Sequence, residues 1–185
     1  MAKNERKKKK KKNKKAMAAV ICLISIIVIA GAVWAWAQFT SGYIFVTDAV
    51  DNYFKAVSSE DRELYKECCY PGKWLDNYIN GGKDINDSLD EMFALQSGAT
   101  YSGVTIVSEE TLDEEFADKM TDFLKTRYNV DISISKIEKV NFTLDSDFEG
   151  KTDSSEKIIR YCYKTGGKWF FLADPDVLVE LGIEG

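Results

Sequence analysis

Histidine is absent from the 185 residues. That removes every triad built on an imidazole base, every His-ligated zinc site and every imidazole proton relay. Proline occurs only at Pro71 and Pro175, so no proline-rich linker divides the chain. Charge is missing altogether between Ala16 and Ala37. Basic charge is scarce after that point: residues 38–185 hold 15 Lys and Arg against 29 Asp and Glu. A main domain this acidic excludes a nucleic-acid partner, whose phosphates require basic surface. None of the four cysteines forms a Cys-x-x-Cys pair, which argues against a dithiol redox enzyme.

What is present begins with a split in charge. Residues 1–15 carry nine Lys and one Arg against one Glu. The uncharged stretch from Ala16 to Ala37 is 22 residues long. As a helix it measures roughly 33 Å, close to the ~30 Å hydrocarbon core of a bilayer. Trp34 and Trp36 stand at its far end, where indoles favour the headgroup layer. At its near end lie Lys7 to Lys12, Lys14 and Lys15, and lysines beside a first span hold that side in the cytoplasm. The sequence therefore predicts three parts: a basic cytoplasmic tail (1–15), a transmembrane helix (16–37) and an extracytoplasmic domain (38–185). The alternative is a cleaved signal peptide ending at Ala35-Trp36-Ala37, although the apolar run exceeds the usual 7–15 residues. Cys22 sits mid-span after Ile21 and does not fit a lipid-modified cysteine. The tail's expected partner is anionic lipid, at about 1 kcal/mol per Lys near the surface.

Residues 38–185 are near the modal size of one domain. From Tyr43 to Val57, Val46, Val50, Phe54 and Val57 recur at helical spacing. Short helices follow over residues 60–69, 73–80 and 84–95, separated by Pro71-Gly72 and Gly81-Gly82. Tyr101 to Val107 is a short β-rich run. Thr111-Leu112-Asp113-Glu114 has the form of a capping box, and behind it Leu112, Phe116, Met120, Phe123, Leu124 and Tyr128 predict an amphipathic helix. Asn129 is its expected terminator. Strands come next: Ile132 with Ile134, then Val140, Phe142 and Leu144, then Lys157 to Lys164. Thr165-Gly166-Gly167-Lys168 predicts a hairpin into Trp169 to Ala173, and Asp174-Pro175 opens a last short helix. Helices first, then a strand, a long helix and an antiparallel meander make an α+β fold, a curved antiparallel sheet packed on helices.

This order, with the closing segment Gly166-Gly167-Lys168-Trp169-Phe170-Phe171-Leu172, resembles the nuclear transport factor 2-like superfamily. It is most similar to membrane-anchored Gram-positive members of unknown function, whose domain opens on a helix such as Ala49 to Val57. The resemblance spans roughly residues 43–175. It implies a cone-shaped domain whose sheet wraps a helix and leaves a pocket at the open end. Ketosteroid isomerases and scytalone dehydratases work in such pockets, while many relatives only bind or dimerise, so fold alone does not choose. A dehydratase-like site of this kind uses a His, which this chain lacks. An isomerase-like site needs an Asp base and a Tyr or protonated acid in a dry cleft, and no motif singles out such a pair.

The sharpest local motif runs from Asp145 to Glu156. Asp145, Asp147, Glu149, Asp153 and Glu156 stand at positions 1, 3, 5, 9 and 12, with Gly150 at position 6. That is the spacing of a calcium loop, whose carboxylates wrap the ion while Gly allows the sharp bend. Thr152 replaces the apolar anchor at position 8, and the flanks read as strands, so the same residues also read as a solvated hairpin. No other cofactor is expected. Outside the span lie Cys68, Cys69 and Cys162. A bridge to Cys162 would close a loop of over 90 residues and stabilise by about 4 kcal/mol; the other reading is three buried thiols. The functional expectation is a single-pass, membrane-anchored extracytoplasmic domain that binds a protein or small ligand without catalysis. The alternatives are an isomerase- or dehydratase-like enzyme in the cone and a structural subunit of a membrane complex.

Overall fold

Apolar residues at every second position make a half-buried strand, and Val140, Phe142 and Leu144 are the clearest such run. The computed structural model describes residues 42–80, 85–96, 98–154 and 157–183, and places all three in one 15-residue strand, β2 (Ile134–Phe148). Their side chains are buried while Asn141 and Thr143 between them are half-exposed. β1 (Ala99–Thr111) pairs along one edge of β2, and β3 (Lys151–Ser154) and β4 (Ile158–Thr165) pair along the other. β5 (Lys168–Phe171) completes the antiparallel order β1-β2-β4-β5. The β1–β2 ladder shifts register twice, between Ser102 and Thr105 and between Ile106 and Ser108, and the β2–β4 ladder shifts between Ile134 and Lys136. Each shift adds local twist and bend, so the sheet curls. Gly166 and Gly167 both have positive φ, which a two-residue turn between twisted strands requires.

Four helices precede the sheet: α1 (Val46–Ser59), α2 (Arg62–Cys69), α3 (Gly72–Asn80) and α4 (Ile85–Gln96). Helix α5 (Glu114–Tyr128) joins β1 to β2, and α6 (Pro175–Leu181) follows β5. Their ends follow local chemistry. The Asp61 carboxylate accepts from the Leu64 N–H, and Asp174 accepts from Val177 with Pro175 in the first turn; each satisfies a backbone donor that the helix itself leaves unpaired. Asn129 ends α5 in the left-handed conformation, as expected. Helix α1 packs on β1, β4 and β5, and α5 packs on β2 and α6. This is the expected α+β arrangement, helices packed on a curled antiparallel sheet.

Three local expectations need correction. Tyr43 is not helical: it exchanges backbone hydrogen bonds with Trp169, at 2.9 and 2.7 Å, and extends the β5 edge by one bridge. The capping box does not form. Thr111 is the last residue of β1, paired with Glu138, and Asp113 takes the N-cap position without a side-chain hydrogen bond. The strand ladder claims the backbone first, since the Leu112 N–H donates to Ile137 O. For the same reason β1 has 13 residues and extends past the expected Tyr101–Val107 at both ends. The stretch predicted to span a membrane, Ala16 to Ala37, and the basic tail lie outside the described residues. Among the described residues no helix is long and apolar enough to cross a membrane.

Aromatic rings join α1 to the sheet. Tyr53 stacks on Phe171, with centroids 3.7 Å apart and planes 10° from parallel. Phe54 stands edge-on to Phe142 and Tyr101, each at 5.4 Å, and to Phe171 at 6.2 Å. Ring pairs in such geometry add about 0.5–1.5 kcal/mol beyond the area they bury. Phe171 is 1% exposed and belongs to two of these pairs. Phe171→Ala should therefore cost about 3–5 kcal/mol in urea unfolding, and Phe171→Leu less, because it leaves a smaller cavity.

Candidate functional site

The sheet face against α1 is occupied by the protein's own rings and thiols. Cys68 and Cys69 end α2, Cys162 lies on β4, and all three are buried and unbridged. Burial pushes the Cys68 thiol up to about 12 against the opposing help of the Tyr43 hydroxyl, 3.3 Å away. Burial likewise raises Cys69 and Cys162. The Tyr163 hydroxyl donates to Cys69 O at 2.7 Å, and burial holds Tyr53, Tyr65 and Tyr163 well above the ordinary phenol range. Thiols and phenols that keep their protons at neutral pH are neither nucleophiles nor bases. Trp74, fully buried, leaves its indole N–H without a hydrogen-bond partner, and the rings of Tyr70, Tyr128 and Tyr163 lie 5.2, 6.0 and 6.0 Å from its own.

The acidic motif folds as a strand hairpin. Asp145 and Asp147 stand on β2, Asp153 stands on β3, and Glu149-Gly150 form the turn with positive φ at both. Glu156 lies outside the described residues. The Asp147 carboxylate accepts from the Gly150 N–H and the Thr152 hydroxyl, each at 3.1 Å. Asp145 accepts from the Ser154 hydroxyl at 2.5 Å. Asp153 pairs with Ser146, so it shares that residue's face of the hairpin, opposite to Asp145 and Asp147. Strand pairing thus separates carboxylates that a wrapped loop would converge. Among the described residues no group of three or more acidic or cysteine side chains is placed to hold a metal ion.

A second carboxyl group of interest was not singled out in the sequence. Glu138 of β2 is only 5% exposed. It forms an ion pair with Lys136, two residues away on the same face of the strand, and its ladder partners are Thr111 and Cys162. The Lys136 and Lys164 ammonium groups lie 5.6 and 5.2 Å from the Trp169 ring centre, within cation–π range. Glu109 stands opposite Val140, two rungs along the ladder and on the same face as Glu138. Its side chain is exposed, and its carboxyl pKa is raised, first by partial desolvation and then by Glu138, while Lys136 pulls it down. The Lys136–Glu138 spacing is visible in a strand pattern. The approach of Glu109 is not, because it depends on two register shifts in β1.

A carboxyl whose folded pKa lies above its ordinary 4.5 binds its proton more tightly in the native state. Stability then falls as pH rises from about the unfolded value through the folded one, and the cost is fully present at neutral pH. Glu109→Gln removes that cost. It should melt higher than the parent at pH 7, with the gain shrinking toward pH 4. Thermal unfolding at the two pH values checks this, and an equal gain at both would show that Glu109 and Glu138 are not coupled.

Comparison with known proteins finds no matching family model, no similar curated protein and no similar solved structure.

Proposed function

We propose that this chain is a single-pass membrane protein with a cytoplasmic N-terminus, whose acidic α+β domain faces the exterior and binds a protein or small ligand without catalysis. The uncharged run from Ala16 to Ala37 behind a block of lysines supports the topology. The order of helices and strands supports a cone of the nuclear transport factor 2-like kind. The observation that carries the non-catalytic reading is the filled inner face. Where an isomerase would keep a dry cleft with an acid and a base, Tyr53, Phe54, Phe142 and Phe171 pack ring on ring. Recognition then belongs to the outer surface.

A second reading has one observation in its favour. Glu109, beside the Glu138 carboxylate, has a raised pKa, a feature that marks acid–base sites. Lys136 already neutralises the buried Glu138, which fits a structural ion pair at least as well.

Topology decides whether the proposal holds. With an epitope tag at each end of the full chain, protease added to intact cells should remove the C-terminal tag and spare the N-terminal one. Survival of the C-terminal tag until lysis would overturn the exterior placement.

A further inference from the structure

A groove of about 600 Å³ lies against β4, within the roughly 300–1,000 Å³ range of small-molecule sites. Lys139 of β2, Lys157 just before β4 and Arg160 within it supply its charge. Ile159, Tyr161 and Ile183 supply apolar wall. No acidic residue among the described ones lines it, although acids outnumber bases 29 to 15 over residues 38–185.

The placement follows from the ladder. Lys139 and Tyr161 are direct partners across β2 and β4, so they share a face. Ile159, two positions from Tyr161, joins them there and remains 39% exposed, an apolar side chain that the fold leaves uncovered. Arg160, between Ile159 and Tyr161, pairs with Val140 and so starts toward the opposite face, where its guanidinium donates back to Ile159 O at 2.8 Å. None of the three cations forms an ion pair with a described residue.

We propose that this groove binds a small organic oxyanion: a phosphate or carboxylate head met by Lys139 and Lys157, and a compact apolar body against Ile159, Tyr161 and Ile183. Charge-assisted hydrogen bonds from Lys and Arg are the strong contacts for such heads. The acidic remainder of the domain does not forbid it, because charges more than about 8 Å away are largely screened at physiological salt. The inference rests on the binding-domain reading and gives that reading its ligand class.

The test uses the full chain in nanodiscs of neutral lipid and phenyl phosphate as probe, followed by calorimetry at about 50 mM salt. Benzoate, inorganic phosphate and benzyl alcohol are the companion probes. Phenyl phosphate or benzoate should bind saturably at one site. Phosphate without the ring should bind at least about tenfold more weakly, and benzyl alcohol should show no saturable heat. Lys139→Gln/Lys157→Gln should weaken the aromatic anion at least about tenfold, while Lys125→Gln on α5 leaves it unchanged. If the double variant melts early, Lys157→Gln alone, at an exposed position, provides the reading. Absence of saturable binding by both aromatic anions, equal affinity in the lysine variants, or equal binding of benzyl alcohol would overturn the groove. Such a result leaves the topology untouched, since protease protection reads that separately.

Discussion

The packing of two neighbouring rings of α1 onto the curled sheet is the constraint on which the rest depends. Tyr53 and Phe54 are consecutive, so they leave the helix about 100° apart and meet different parts of the sheet. One lies flat on Phe171, and the other points its edge at Phe142 and Tyr101. Those three partners come from β5, β2 and β1. A single helical turn therefore ties together both edges and the centre of the sheet. The curl makes this reach geometrically available, and the register shifts in the ladders supply the curl.

A consequence of this arrangement is that chemistry and packing compete for the same space. The inner face holds thiols and phenols in number, yet Cys68, Cys69, Cys162, Tyr53 and Tyr65 are desolvated, and desolvation keeps the proton on the group. What the fold gains in ring packing it loses in reactive side chains. The polar features that survive are the acidic hairpin and the lysines near Ile159 at the surface, and the Lys136–Glu138 pair beside Trp169, whose glutamate is buried. That distribution suits a domain that recognises by its surface.

Much of the architecture was legible because periodicity is a local signal. Val140, Phe142 and Leu144 alternate as their strand requires, and Asn129 and Asp174-Pro175 mark helix ends through side-chain and backbone chemistry that acts within four residues. The failures share a cause in long-range pairing. Tyr43 reads as helical until Trp169, far along the chain, takes its backbone. Thr111 reads as a cap until Glu138 draws it into the ladder. The acidic run offered both a calcium loop and a solvated hairpin, and pairing of Asp145 with Ser154 selects the hairpin. The groove was invisible for the same reason: Lys139 and Tyr161 are far apart in sequence and meet only through the β2–β4 register.

The central claim, that the inner face is filled and dry, is tested most directly by the thiols embedded in it. In a Cys22→Ala chain under native conditions, Cys68, Cys69 and Cys162 should all resist a water-soluble disulfide reagent. All three should then react once urea unfolds the domain. Reaction of any one of them in the native state at the rate of a free thiol would mean that solvent reaches the interior, and the account of a packed inner face would fail.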